Sequence, residues 1–345
     1  MSRFTPRNAP AHYSWPLAPR FLIISMFTPE QDAWVAPLGL KFNISVPGLS
    51  MLYPHVHCDE KGWICQMTTG ESEINAATST TALFFSPFFD FTKTYFMIAG
   101  IAGGNPYYTT TGSATFARYA VQVALGYEID AREMPSNWTT GYFGFGTAAP
   151  NLYPGLSNWY GTELFELNTN LLARVMDLVK DVKLNDTTDA AAWRSMYDFA
   201  PANQPPTIVQ CDVATSDVWF SGALLSEAMG NITEVWTNGT GKYCTTAEED
   251  NATLESAVRA HLAGMVDFGR FILMRTVSDF DRQPPNVTAY DSLTGAQGGF
   301  GVAITNIFTA GWPVVKEIVY DWDAWKDGTE PSLTGGYGDV LGSLL

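Results

Sequence analysis

Phe271-Ile272-Leu273-Met274-Arg275-Thr276-Val277-Ser278-Asp279-Phe280-Asp281-Arg282 decides the fold: four apolar residues run straight into two carboxylates bracketed by arginines. A short apolar run that ends abruptly in charge reads as a buried strand. In an open parallel sheet, ligands bind outside the carboxyl ends of the strands, and Asp279 and Asp281 stand there. The competing reading is an ion-pair cluster at a strand exit, which contributes little by itself.

Residues 95–104 form a second buried strand, breaking into glycines, and residues 20–26 a third apolar run of strand length. Residues 113–128 alternate as a strand should, residues 207–213 form another, and residues 48–69 suggest paired strands. Helical patterns cover residues 71–81, 163–182, 216–229, 247–266 and 300–320. Strands alternating with helices predict a three-layer α/β/α sandwich around a mixed, mainly parallel twisted sheet. Residues 1–19, rich in Pro and aromatics, read as an extended arm, and residues 20–345 as a single domain. The aromatic, glycine-rich stretch 138–160 is expected to be a long functional loop.

Of 345 residues, 46% are hydrophobic and 16% charged, enough for a substantial core, and the formal charge is -16. That balance argues against nucleic acid as a partner, because no basic surplus exists to neutralise phosphates. No segment reads as membrane-inserting: residues 298–315 are uncharged but interrupted by Gly, Asn and Thr. Seven N-x-[ST] acceptors begin at Asn43, Asn137, Asn185, Asn231, Asn238, Asn251 and Asn286. Together they favour a secreted or cell-wall-associated, N-glycosylated protein whose signal peptide is absent from this sequence. Cys58 and Cys65 flank a hairpin turn, leaving Cys211 and Cys244 for a longer bridge. A metal site is not expected, since no C-x-x-C is present and His55, His57 and Cys58 make a poor ligand set.

Five segments, Met26–Glu30, Gly100–Gly104, Thr215–Phe220, Ala247–Ala252 and Arg275–Asp279, together resemble the purine nucleoside phosphorylases and methylthioadenosine nucleosidases, and within that superfamily the fungal purine nucleoside permease family. The resemblance runs from about Arg20 to the end. It implies a nucleoside phosphorylase-like sandwich, an oligomeric assembly and no cofactor. Arg275-Thr276-Val277-Ser278-Asp279 is similar to the superfamily's R-x-x-S-D, which implies that Asp279, beside Ser278, protonates N7 of a departing purine. An acid there lets the N-glycosidic bond break with less charge build-up. Ala247-Glu248-Glu249-Asp250-Asn251-Ala252 resembles E-M-E-[GS]-A, which implies that Asp250 grips the ribose hydroxyls, with Glu249 in place of a methionine. Thr215-Ser216-Asp217-Val218-Trp219-Phe220 is similar to S-G-D-x-F, implying Trp219 as the stacking face and Phe220 beside the purine. Gly100-Ile101-Ala102-Gly103-Gly104 resembles the G-[ST]-[AC]-G-G turn under sugar and base.

Phosphorolytic members of that superfamily place arginines near the first strand and this turn, yet no arginine lies between Ser25 and Asp32. Met26-Phe27-Thr28-Pro29-Glu30 instead resembles the hydrolases' first-strand exit, which implies Glu30 as the base that activates water. The expected activity is hydrolysis of a purine nucleoside (adenosine, inosine or guanosine) to base and ribose. Phosphorolysis is the alternative, with Arg118, Arg259 and Arg282 as candidate donors outside matching positions. A second alternative, from the permease name, is a non-catalytic nucleoside-binding component of uptake.

Overall fold

Alternate residues of the central strands point into two different cores, one on each face of the sheet. The computed structural model describes residues 12–155, 158–331 and 337–344. Residues 1–11 of the expected arm and 156–157 of the expected loop lie outside the described residues.

In chain order come β1 (Phe21–Ser25), α1 (Thr28–Val35), β2 (Phe42–Ser45), β3 (His55–Cys58), β4 (Ile64–Thr68), α2 (Glu73–Phe84) and β5 (Tyr95–Gly104). Then follow β6 (Ala114–Phe116), β7 (Tyr119–Gln122), β8 (Tyr127–Glu128), β9 (Tyr142–Phe143), β10 (Leu164–Glu166), α3 (Thr169–Val179) and α4 (Thr188–Arg194). Next are β11 (Ile208–Gln210), β12 (Asp212–Thr215), α5 (Ala223–Trp236), β13 (Tyr243–Ala247) and α6 (Asp250–Leu262). The chain ends with β14 (Phe271–Phe280), α7 (Ala289–Thr294), α8 (Phe300–Tyr320), α9 (Trp322–Trp325) and β15 (Gly338–Asp339).

Among the described residues, a 13-stranded sheet carries the fold, with β5 at its centre, bonded to β1, β13 and β14. The pairs β1–β4, β1–β5, β5–β14, β12–β13 and β7–β12 are parallel, while β2–β3, β3–β4, β6–β14 and β7–β10 are antiparallel. The sheet is therefore mixed and mainly parallel at its centre. Leu22, Ile24, Phe96, Ile98, Phe271 and Leu273 pack against Leu83 and Phe84 of α2 and Leu254, Ala257 and Val258 of α6. Phe21, Ile23, Tyr95, Met97, Ile272 and Met274 face Trp34 of α1, Leu171 and Val175 of α3, and Ile307, Ala310 and Val314 of α8. The period-2 side-chain alternation of a strand thus divides each central strand between two helical layers. Near-continuous apolar runs such as Phe21–Ser25 are what burial on both faces requires. Tyr13 and Leu17, from the expected arm, join the first core.

Several elements differ from their sequence patterns. Residues 113–128 do not form one strand: buried Asp212 accepts hydrogen bonds from Arg118 N (3.0 Å) and Tyr119 N (2.8 Å), bending the chain between β6 and β7. The helix expected over 163–182 starts only at Thr169, because Asn168 caps it through Asn170 N and Leu171 N while Leu164–Glu166 pairs with β7. Residues 207–213 break at Cys211, which is disulfide-bonded to Cys244; Cys58 and Cys65 form the second bridge. The helix expected from Ser216 starts at Ala223, after Gly222 at φ 111°, so residues 216–221 are irregular. In the long loop, Tyr142–Phe143 pairs with Tyr127–Glu128 as a small separate hairpin.

Candidate active site

The carboxyl ends of β1, β5, β12, β13 and β14 surround a cavity of about 610 Å³. That volume lies within the range typical of small-molecule sites. Glu30, Ile101, Ala102, Gly103, Trp219, Phe220, Glu249, Ser278 and Asp279 all line it. Sequence reasoning therefore brought together residues from five distant segments. Gly100 stands behind the lining: a Cβ there would collide with Met26 Cε and lie 2.5 Å from Glu30 Oε1 and 2.8 Å from Arg275 Nη1. Its glycine identity permits close approach of these groups.

Asp279 is half-buried at the end of β14. The ladder with β5 slips here, with Val277 opposite Ala102 and Asp279 opposite Gly103, so Ser278 is the additional residue of a β-bulge. Through this bulge the consecutive residues Ser278 and Asp279 both reach the cavity. Ser278 Oγ lies 2.6 Å from Asp279 Oδ1 and 3.0 Å from the Ala102 carbonyl oxygen. Burial raises the Asp279 carboxyl to about 6, against the lowering effect of the Ser278 hydrogen bond, while the Asp281 charge raises it further.

Glu30 occupies the first turn of α1, which starts immediately after β1, and is almost wholly buried. Its Oε2 accepts from Met26 N at 2.7 Å and its Oε1 from Ile101 N at 2.8 Å. Two backbone donors thus tie the carboxylate to both strand exits. Burial pushes the carboxyl up to about 8, although Arg275 and these two N–H groups pull it down.

Arg275 lies under the cavity as its sole lining cation among the described residues. Its Nε donates to Asp250 Oδ2 at 3.2 Å and its Nη2 to Asp250 Oδ1; Nη2 also donates to Glu249 Oε2 at 3.1 Å, and Nη1 to the Ile101 carbonyl at 3.0 Å. Asp250, the first residue of α6, is fully buried in this pairing and is absent from the cavity lining. Glu249, one residue earlier, is the carboxylate that reaches the cavity, with Ser72 N donating to its Oε1 at 3.0 Å. Burial raises its pKa despite Arg275. Glu248 joins the lining; burial and the charges of Glu249, Glu71 and Asp217 raise it to about 7.

Trp219 is 66% exposed yet lines the cavity, whereas Phe220 is buried in a separate apolar cluster with Val121, Met229 and Tyr243. An exposed indole on an irregular segment does no core packing. Sequence reasoning missed Thr246, whose Oγ1 accepts from Gly103 N at 2.9 Å and holds the glycine turn to β13. It also missed Phe27 and Phe300, at the starts of α1 and α8, whose rings lie 6.3 Å apart in the lining. No short motif marks Thr246 or Phe300, and the Met26–Glu30 segment contains Phe27 without assigning its ring a role.

Fold and cleft together define the class: an α/β protein of nucleoside phosphorylase-like, nucleosidase fold. The 5'-methylthioadenosine/S-adenosylhomocysteine nucleosidase from Neisseria meningitidis, solved with methylthio-immucillin-A, matches over 87% of this chain and 99% of its own at 13% identity and TM-score 0.52. The futalosine hydrolase of Helicobacter pylori matches over 88% and 98% at 11% identity and TM-score 0.51. Within this class the chain belongs to the purine nucleoside permease (NUP) family, whose profile matches residues 18–330. It is 44% identical over 346 aligned positions to the purine nucleoside permease of Candida albicans, covering 98% of this chain and 85% of that protein. It is also 43% identical over 317 positions to a probable purine nucleoside permease of Schizosaccharomyces pombe, covering 89% and 91%. Among the described residues, no helix is long and apolar enough to cross a membrane.

Proposed function

We propose that the protein is a purine nucleoside hydrolase that releases free purine and ribose. Asp279 donates a proton to N7 of the leaving base, and Trp219 stacks on the purine beside Phe220. Glu30 takes a proton from water as it attacks the anomeric carbon. Glu249, supported by Arg275, accepts hydrogen bonds from the ribose hydroxyls, which stabilises a developing oxocarbenium ion. Asp250 acts on the sugar only indirectly, by holding Arg275. Ile101, Ala102, Gly103 and Ser278 form the floor under sugar and base, and no cofactor takes part.

The observation that carries this reading over phosphorolysis is the state of Arg275. It is the single cation in the lining among the described residues, and its donors face Asp250, Glu249 and the Ile101 carbonyl. A phosphate dianion needs free charged donors. Arg118 is paired with Glu166 and Arg259 with Glu255, while Arg282 is held by Asp281. Incubating inosine or adenosine with and without phosphate tests the reading: ribose is the expected product in both, and ribose 1-phosphate would exclude it. The name its relatives carry favours a second reading, a nucleoside-binding component of uptake without turnover. Release of free base by the purified chain eliminates that account.

We infer that the protein works outside the cytosol; its two buried disulfides support this, since such bridges persist in oxidising compartments. Electrophoresis with and without reductant of protein taken directly from cells tests this placement.

A further inference from the structure

The seven N-x-[ST] acceptors take no part in the cleft chemistry, and the fold separates them into two groups. We propose that Asn43, Asn137, Asn238 and Asn286 carry N-linked glycans, and that Asn185, Asn231 and Asn251 do not.

Transfer requires a lipid-pyrophosphate-linked oligosaccharide as co-reactant. A bond forms between the sugar's anomeric carbon and the asparagine Nδ2. The carbon–oxygen bond to pyrophosphate breaks, and its electron pair leaves with the pyrophosphate. Nδ2 gives up one proton and keeps one N–H. An acceptor compatible with the folded chain therefore needs an Nδ2 that is not committed inside the protein, with open space beyond it.

Both the asparagine and the hydroxyl residue are exposed at Asn43/Ser45, Asn137/Thr139, Asn238/Thr240 and Asn286/Thr288. Asn238 and Asn286 sit at φ 51° and 64°, in turns that project from the surface. Asn43, exposed, engages His57 Nδ1 through its Oδ1 at 2.8 Å and not through Nδ2. It lies on β2, the last strand at its end of the sheet. A glycan there covers an edge whose unpaired N–H and C=O groups otherwise invite pairing with another chain.

The other three are set apart by burial or by a committed amide: Asn251 and Asn231 are buried and half-buried, whereas Asn185 is exposed together with Thr187 but has its Nδ2 bonded to α8. Asn251 is 1% exposed on α6, and its Nδ2 donates to the Thr162 carbonyl at 2.7 Å and the Ala120 carbonyl at 3.4 Å. Its hydroxyl partner Thr253 is fully buried. Asn185 has Nδ2 donating to Asn306 Oδ1 and Thr309 Oγ1, both at 3.0 Å, so a sugar would remove a bond that ties the loop to α8. Asn231 is half-buried within α5, facing a small cavity lined also by Met229 and Trp236, and its partner Thr233 is buried.

Peptide mapping decides the matter on chain purified from the cells that make it, after enzymatic deglycosylation in water enriched in heavy oxygen. Each occupied asparagine becomes an aspartate carrying the label. The expected result is label at Asn43, Asn137, Asn238 and Asn286 and unmodified peptide at the other three. Label at Asn185, Asn231 or Asn251, or its absence from any of the other four acceptors, overturns the proposal. The outcome is independent of whether the cleft hydrolyses nucleosides.

Discussion

Arg275 and Asp250 form a two-point ion pair beneath the cleft, both side chains buried, with Nε and Nη2 of the guanidinium directed at the two carboxylate oxygens. Removing one partner of such a pair leaves a buried charge uncompensated and typically costs about 3–5 kcal/mol. Asp250→Ala is therefore expected to lower stability by about that amount, measured by chemical denaturation. Glu249→Gln is expected to change stability less and to raise KM for the nucleoside. If instead Asp250→Ala folds with unchanged stability and only raises KM, Asp250 contacts the sugar directly.

Asp279→Asn keeps the shape of the side chain while removing the proton donor. General acids contribute about 10²–10⁴-fold to rate, and a loss of kcat in that range is expected while purine binding by calorimetry persists. A variant retaining full turnover would refute the acid assignment.

The pH profile has a definite sign. The proposed acid, Asp279, acts when protonated and has its pKa raised to about 6; the proposed base, Glu30, acts when ionised and has its pKa raised to about 8. Between those values the productive form, one proton on Asp279 and none on Glu30, is a constant minor fraction. Below about 6 Glu30 is protonated along with Asp279, and above about 8 both lose their protons. A bell-shaped kcat/KM with limbs near 6 and 8 is expected. In Glu30→Gln the residual activity should fall by about 10²–10⁴-fold and lose the limb that Glu30 sets.

Trp219 contributes little to folding because it is largely exposed. Trp219→Ala should leave Tm nearly unchanged while raising KM, since base stacking on an aromatic side chain is worth about 1–3 kcal/mol. A collapse in Tm with unchanged KM would place the indole in the core instead.

Gly100→Ala puts a methyl group against Met26, Glu30 and Arg275 at once. Overpacking of this kind costs about 1–3 kcal/mol, and here it also displaces the proposed base. Both denaturation midpoint and turnover should drop, and a neutral substitution would contradict the close approach.

The strands that carry the cleft are legible where they are apolar on both faces: residues 95–104 match the observed β5, and the apolar run 271–274 is the first part of β14, which continues through the charged residues to Phe280. What the sequence did not reveal depends on side chains that interrupt regular elements from a distance. Asp212 bends residues 113–128 from 94 residues away, and Asn168 delays a helix that the apolar spacing alone would start earlier. In the cleft, the motifs led to Glu30, Trp219 and Asp279. In the acidic run 248–250 the resemblance pointed to Asp250 for the sugar, whereas Glu248 and Glu249 line the cavity, because which carboxylate faces it depends on where α6 begins and where Arg275 reaches. Thr246 and Phe300 were invisible for the same reason: only the crossing of β13 and α8 with β5 and β14 brings them to the cleft.

The one-residue slip at Ser278 makes the cleft depend on parity. Up to Val277, odd-numbered residues of β14 such as Phe271 and Leu273 serve one layer and even-numbered ones such as Ile272 and Met274 the other. The unpaired Ser278 suspends that rule where the strand leaves the core. Chain length in this segment is thereby as constrained as residue identity. A single deletion would leave the apolar half of the strand in place and still rotate the acid out of alignment with the glycine turn. Substitution can vary the rest of the proposed site, but lengthening or shortening this strand exit would remove the proposed acid from it.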